Sequence, residues 1–136
     1  MIPHLDEIRE TFALLDSWED KYAYLIDLGR KLPEFPDACK TDRFIIKGCV
    51  SQVWMILSVK DDKTISILAD SDAHIVRGLI SLVMAVYNGY RVEDVQNIDM
   101  QAIFDGLGLG GHLSPNRRNG FFSMVEKIKV GTIAAA

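Results

Sequence analysis

Cys49 stands between Gly48 and the polar step Ser51-Gln52, which leads into the apolar stretch beginning Val53-Trp54. A thiol is a nucleophile and a metal ligand as its thiolate, so nearby positive charge and backbone N–H groups decide what such a residue can do. Lys47 lies two positions away, and Gly48 admits a positive φ, so the turn can expose the sulfur and the neighbouring amides without a Cβ in the way. Ser51 and Gln52 can hydrogen-bond the backbone of the loop, while Val53 and Trp54 anchor it to a sheet. The same residues also suit a cysteine that merely ends a loop and packs as free cysteines commonly do, and the local sequence leaves both readings open.

Other chemistries make further demands. A hydrolytic cysteine needs a positioned base, and nothing in the spacing ties His4, His74 or His112 to Cys49. Of the three, His112 is the most suggestive, lying between a glycine loop and a helix start. Cys39, Cys49, Asp72 and His112 are ligand types suited to zinc or iron–sulfur chemistry, but nine residues separate the two cysteines and there is no C-x-x-C pair. A scaffold-like module binding a metal or cluster is therefore the runner-up reading. The run Gly106-Leu107-Gly108-Leu109-Gly110-Gly111 lacks the Lys-Ser/Thr end of a phosphate loop and follows a helical pattern, so it reads as a tight connection. Asp70-Ser71-Asp72 reads most simply as a turn capping the next helix. Arg117, just inside a helix start, is unfavourably placed for the helix dipole. It can instead face a carboxylate or lend positive potential to a thiolate, as can Arg118, Arg43 or Lys47; a solvated surface charge is the plain alternative for each.

The elements that must hold these residues are legible in outline. Ile8, Phe12 and Leu15 recur at helical spacing, and either Asp16 or Ser17 can cap a second helix bearing Trp18, Tyr22, Leu25, Ile26 and Leu28, Ser17 with Asp20 resembling a weak capping box. Gly29 is its expected end, and Pro33-Glu34-Phe35-Pro36-Asp37 an irregular connection. Phe44, Ile45 and Ile46 form a short extended piece. Val53, Met55, Leu57 and Val59 alternate with polar and apolar partners, Asp61-Asp62 turns the chain, and residues 64–69 return, which predicts a β-hairpin with Ile65 and Ile67 facing the core. From residue 71 or 72 the period becomes helical: Ile75, Leu79, Leu82, Val83 and Val86 define a central buried helix ended by Asn88-Gly89. A short turn at residues 92–95 and a helix capped by Asp99 follow. Ser114-Pro115 opens a final helix with Phe121, Met124, Val125 and Ile128 at core spacing, and residues 131–136 read as a frayed tail. Helices at both ends with antiparallel strands between them predict an α+β fold.

Composition bounds the rest. The chain has 136 residues, 49% of them hydrophobic, which suits one compact domain needing no disulfide or metal staple. Fifteen Lys and Arg against nineteen Asp and Glu give a net charge of −4, which argues against nucleic-acid or anionic-membrane partners. No secretory leader pattern opens the sequence, and no apolar run reaches the roughly 20 residues of a membrane span. Only two cysteines occur, and a reducing, cytoplasmic setting, where such a pair is more often reactive or inert than bridged, suits them better than a Cys39–Cys49 disulfide.

Several blocks then resemble one known family in order: Trp18-Glu19-Asp20-Lys21-Tyr22, Leu28-Gly29-Arg30-Lys31-Leu32-Pro33, Gly48-Cys49-Val50-Ser51-Gln52-Val53-Trp54, Asp70-Ser71-Asp72-Ala73, Ile75-Val76-Arg77-Gly78, and His112-Leu113-Ser114-Pro115-Asn116-Arg117-Arg118-Asn119-Gly120. This pattern resembles the SufE-like sulfur acceptors that activate cysteine desulfurases in iron–sulfur cluster assembly. The resemblance implies a SufE/IscU-like α+β fold with a small antiparallel sheet packed against N- and C-terminal helices, as one domain over residues 1–136. It implies that Cys49 receives sulfane sulfur from the persulfide of a pyridoxal-phosphate-dependent cysteine desulfurase and passes it to an iron–sulfur scaffold or other acceptor. The pyridoxal phosphate belongs to the partner, so the implied chain carries no cofactor of its own. By the same resemblance Arg117 contributes to transfer or docking, Asp72 restrains the active loop, His112 and Asn119 support the same surface, and Gly48, Ser51 and Gln52 frame the loop. Two positions depart from the pattern: Val50 stands where Gln is frequent, and Arg118 where a smaller or uncharged residue is. Cys39 matches no essential family cysteine.

Overall fold

A computed structural model of the chain describes the backbone of residues 2–48 and 51–135 and the side chains of residues 2–48 and 51–133. Helices α1 (Leu5–Leu14) and α2 (Trp18–Gly29) lead through an irregular segment and a 3₁₀ turn (Asp37–Cys39) to the hairpin β1 (Val53–Val59) and β2 (Ile65–Ser71). Helix α3 (His74–Tyr87), the short α4 (Val92–Val95) and α5 (Met100–Gly106), a 3₁₀ turn (Leu109–Gly111) and α6 (Pro115–Ala135) complete the chain. The sheet is antiparallel and two-stranded, with Val53 opposite Ser71 and Val59 opposite Ile65, and it packs against helices from both ends of the chain. The fold is α+β.

Helix α3 is central because its sequence is apolar nearly all round: Leu79, Ile80, Leu82, Val83 and Tyr87 are buried to 1% exposure or less. Helix α2 crosses it at close range. Gly29 lies in that contact, where a Cβ would come within 2.8 Å of the Gly78 nitrogen, and a Cβ on Gly78 would overlap the Leu25 carbonyl. Gly29 therefore serves close packing, and the helix ends after it without a left-handed cap, Arg30 remaining αR. Ser81 Oγ, fully buried, donates to the Leu28 carbonyl across the same interface at 2.9 Å.

The hairpin turn is closed by Asp62, whose carboxylate accepts the Thr64 hydroxyl at 2.6 Å and its N–H at 3.0 Å. These bonds hold the Asp62 carboxyl below its ordinary pKa, the hydroxyl having the larger effect. Lys63 takes a positive φ of 67°, the conformation that a glycine would otherwise supply. Along β1, Val53 and Met55 face the core as the alternation predicts, but Trp54 on the other face is also buried. Lys40 stands against that ring. Asp70 Oδ2 contacts Lys40 Nζ at 3.3 Å and Oδ1 lies 2.9 Å from Arg77 Nε, close in distance though without hydrogen-bond alignment. The Lys40 ammonium, its pKa raised chiefly by the hydrogen bond to Asp70, stands 5.6 Å from the Trp54 ring centroid.

Helix α6 continues past residue 130, where the sequence suggests fraying. Thr132 is buried and accepts Gln96 Nε2 at 2.8 Å, and Gly131 lets the helix pass tightly over Leu57. A tertiary clamp thus holds residues that local composition leaves loose. Among the described residues no helix is long and apolar enough to cross a membrane.

Candidate functional site

The end of β2 and the entry to β1 are locked together. Ser71 Oγ donates to the Gln52 carbonyl at 2.7 Å and accepts the Ala73 N–H at 3.2 Å. Asp72 Oδ1 accepts the Gln52 N–H at 3.1 Å, and the Asp72 N–H donates to the Gln52 carbonyl at 3.3 Å. Both peptide groups of Gln52 are therefore held by the β2–α3 corner. The expected helix cap is not formed: Ala73 is the N-cap of α3, without a side-chain hydrogen bond, and the Asp72 carboxylate turns to Gln52 instead. A long-range β partner displaces a local cap here because the strand register brings Gln52 alongside Asp72.

The other wall is the start of α6. Ser114 caps it, its Oγ accepting the Arg117 N–H at 3.2 Å and its carbonyl the Arg118 N–H at 2.9 Å. Between this helix start, β1 and α3 lies a cavity of about 290 Å³. Val53, Val76, Leu79, Phe121 and Met124 make it apolar, and Ser51, Ser114, Asn116 and Arg117 supply its polar side. Gly48 reaches α6 as well: at φ 91° it adopts a left-handed conformation, and a Cβ there would stand 2.9 Å from Ser123 Oγ. Arg117 is exposed and, among the described residues, forms no ion pair. Its guanidinium adds to the positive end of the α6 dipole, so the cavity mouth favours an anion such as a thiolate.

Cys49 and Val50 lie outside the described residues. Of the other candidates, Gly48, Ser51 and Arg117 converge on the cavity and the first turns of α6, and Gln52 and Asp72 meet each other. His112 belongs to a neighbouring cluster: its ring stacks on Trp18 at 3.9 Å between centroids, and its carbonyl accepts the Tyr22 hydroxyl. That pairing ties α2 to the segment preceding Ser114. Asn119 is exposed on α6, and Asn116 rather than Asn119 lines the cavity. Arg118 lies over the Phe104 ring at 5.9 Å. Sequence reasoning passed over Asn116, Ser71 and Ser123 as site residues. The first two sit within blocks already noted, whereas Ser123 has no local signal and is found only through its approach to Gly48. Among the described residues no three His, Cys, Asp or Glu side chains converge as a metal site, and Cys39 is half-buried in its 3₁₀ turn.

An α+β domain in which a clamped loop frame borders a small apolar cavity under a positive helix start is the class that fold and site define. Comparison with known proteins gives the family: residues 6–132 match the SufE family, described as an Fe-S metabolism associated domain. The chain is 44% identical over 128 residues to an uncharacterized SufE-like protein of Rhizobium meliloti, covering 92% of this chain and 91% of that one. It is 42% identical over 128 residues to a SufE-like protein of Rhizobium etli, covering 92% of this chain and 86% of the relative. The chain belongs to the SufE family, and that membership supports a general role in sulfur acceptance for iron–sulfur assembly.

Proposed function

We propose that this protein accepts sulfur on Cys49 from a pyridoxal-phosphate-dependent cysteine desulfurase, stimulates that enzyme, and hands the sulfur to an iron–sulfur scaffold or another acceptor. The observation that carries the reading is the cavity between Ser51 and Arg117, which offers apolar walls and positive potential two residues along the chain from Cys49. In the transfer step the Cys49 thiolate attacks the outer sulfur of the donor persulfide. The new S–S bond forms at Cys49, the donor S–S bond breaks, and the donor cysteine leaves as a thiolate. The sulfane sulfur keeps its oxidation level, so no external oxidant or reductant enters. Arg117 and the α6 dipole favour the anionic nucleophile, and the cavity offers an apolar volume beside the loop. Gly48, Ser51, Gln52 and Asp72 set the course of the loop, and His112 and Asn119 are assigned to its supporting and docking surface.

Mass spectrometry after incubation with free cysteine and a cysteine desulfurase tests this. The wild type and Cys39→Ala should each gain one sulfur atom, and Cys49→Ala none; normal sulfur uptake by Cys49→Ala overturns the mechanism. Arg117→Ala should slow uptake about tenfold or more while leaving the melting temperature within about 2 °C, because an exposed arginine with no ion pair among the described residues contributes little to stability.

A further inference from the structure

The two edges of the hairpin are finished differently. On the β2 side the segment after α3 closes the edge: Tyr90 accepts the Ile65 N–H at 2.8 Å, Gly89 donates to the Ile65 carbonyl at 2.9 Å, and Asn88 Oδ1 accepts the Ile67 N–H at 2.9 Å. On the β1 side the covering piece is short. Ile46 donates to the Val53 carbonyl at 2.8 Å and Phe44 accepts the Met55 N–H at 2.9 Å, and there the cover ends. The alternation of an antiparallel pair makes Leu57 and Val59 the next residues to point their N–H and C=O groups outward. Among the described residues those groups meet no hydrogen-bond partner.

Beside this open edge runs a trough of about 420 Å³ between β1 and the last turns of α6. Among the described residues its charged lining side chains are Arg43 and Lys127, and neither forms an ion pair. Five large hydrophobic side chains are exposed on the described surface, and three gather here: Val59 and Val130 line the trough, and Ile133 follows Val130 on the same face of α6. Unpaired strand groups, clustered exposed aliphatics and a cationic rim together describe a strand-addition site.

We propose that the Leu57–Val59 edge receives an extended segment of a partner protein in which apolar side chains alternate with carboxylates. The added strand continues the line of Phe44–Ile46, pairs its backbone with Leu57 and Val59, seats apolar residues against Val59 and Val130, and sets its carboxylates against Arg43 and Lys127. A second copy of this chain is the poorer occupant, since two-fold pairing of the edges brings the Arg43 and Lys127 rims of both copies together.

The probe is a capped peptide of alternating Glu and Val, seven residues long, with the Lys/Val counterpart as control, titrated into isotope-labelled protein and followed by amide NMR and hydrogen exchange. The Glu peptide should shift and protect the Leu57 and Val59 amides saturably. Val59→Pro should abolish binding while leaving the rest of the spectrum intact, because the Val59 N–H points out of the hairpin and no ladder bond is lost. Arg43→Glu with Lys127→Glu should weaken binding roughly tenfold. Three outcomes overturn the proposal: equal binding of the Lys peptide, undisturbed Leu57 and Val59 amides at millimolar Glu peptide, or protection of those amides that rises with protein concentration alone, which assigns the edge to a second copy.

Discussion

Ser71→Ala isolates the clamp that holds the entry to β1. One hydroxyl is removed, and with it the 2.7 Å bond to the Gln52 carbonyl and the 3.2 Å bond from the Ala73 N–H. At about 1 kcal/mol net for each bond the loss is about 2 kcal/mol, reduced somewhat because the Gln52 carbonyl keeps the Asp72 N–H at 3.3 Å. For a chain of this size that corresponds to a fall in melting temperature of roughly 4–8 °C. Amide exchange at Gln52 and Ala73 should quicken by about tenfold, whereas amides in the centre of α3 should change only by the global loss. Because Ser71 and Asp72 hold the two peptide groups of one residue, the double variant Ser71→Ala/Asp72→Ala should depart from additivity by at least about 0.5 kcal/mol. Sulfur uptake at Cys49 should fall by more than the loss of folded protein explains, since the loop leading to it is freed. A drop below 1 °C with unchanged Gln52 exchange refutes the idea that the corner restrains the loop.

Gly78→Ala should cost more than about 3 kcal/mol in urea unfolding, or prevent folding, because the added Cβ overlaps the Leu25 backbone carbonyl and neither helix can yield locally. Tyr87→Phe should be neutral or stabilising by about 1 kcal/mol at pH 7, since the Tyr87 hydroxyl is buried without a hydrogen-bond partner among the described residues. Burial, with a smaller contribution from Asp99, raises the Tyr87 pKa to about 12 from an ordinary 10.0, so the stability it reflects is complete below pH 10 and is lost as pH rises toward 12. The wild type should therefore lose stability relative to Tyr87→Phe by up to about 1.4 kcal/mol per pH unit in that window, measured by denaturation at paired pH values. Trp18→Ala removes the ring stacked on His112 and should destabilise the Ser114 cap, seen as faster exchange of the Arg117 and Arg118 amides without faster exchange in β2.

Elements whose signals are local were readable from residue order. The hairpin follows from alternation over Val53–Val59 and Ile65–Ser71, α3 from its apolar period, α2 from the Ser17 cap that takes the Asp20 N–H at 3.1 Å, and α6 from Ser114-Pro115. Those signals depend on neighbours within four residues, which a sequence exposes directly. What failed depended on distant partners. Asp72 carries every mark of a helix cap, yet the register of β1 against β2 puts the Gln52 N–H within its reach. That Trp54 is buried although it lies on the face of β1 opposite Val53 and Met55 has no local signal; Lys40, paired with Asp70, stands against its ring. Thr132 lies in a weak tail by composition and is held by Gln96.

The sequence by itself determined the α+β class, the candidate thiol and the blocks that identify the family, because periodicity, caps and residue type are properties of short stretches of chain. Only the tertiary structure decided that Ser51 shares a cavity with Asn116 and Arg117, that Gly48 leans on Ser123, and that Phe44 and Ile46 pair with Met55 and Val53 along the β1 edge. The first two are contacts between segments dozens of residues apart, set by how helices and strands close over one core, and no local pattern encodes that distance.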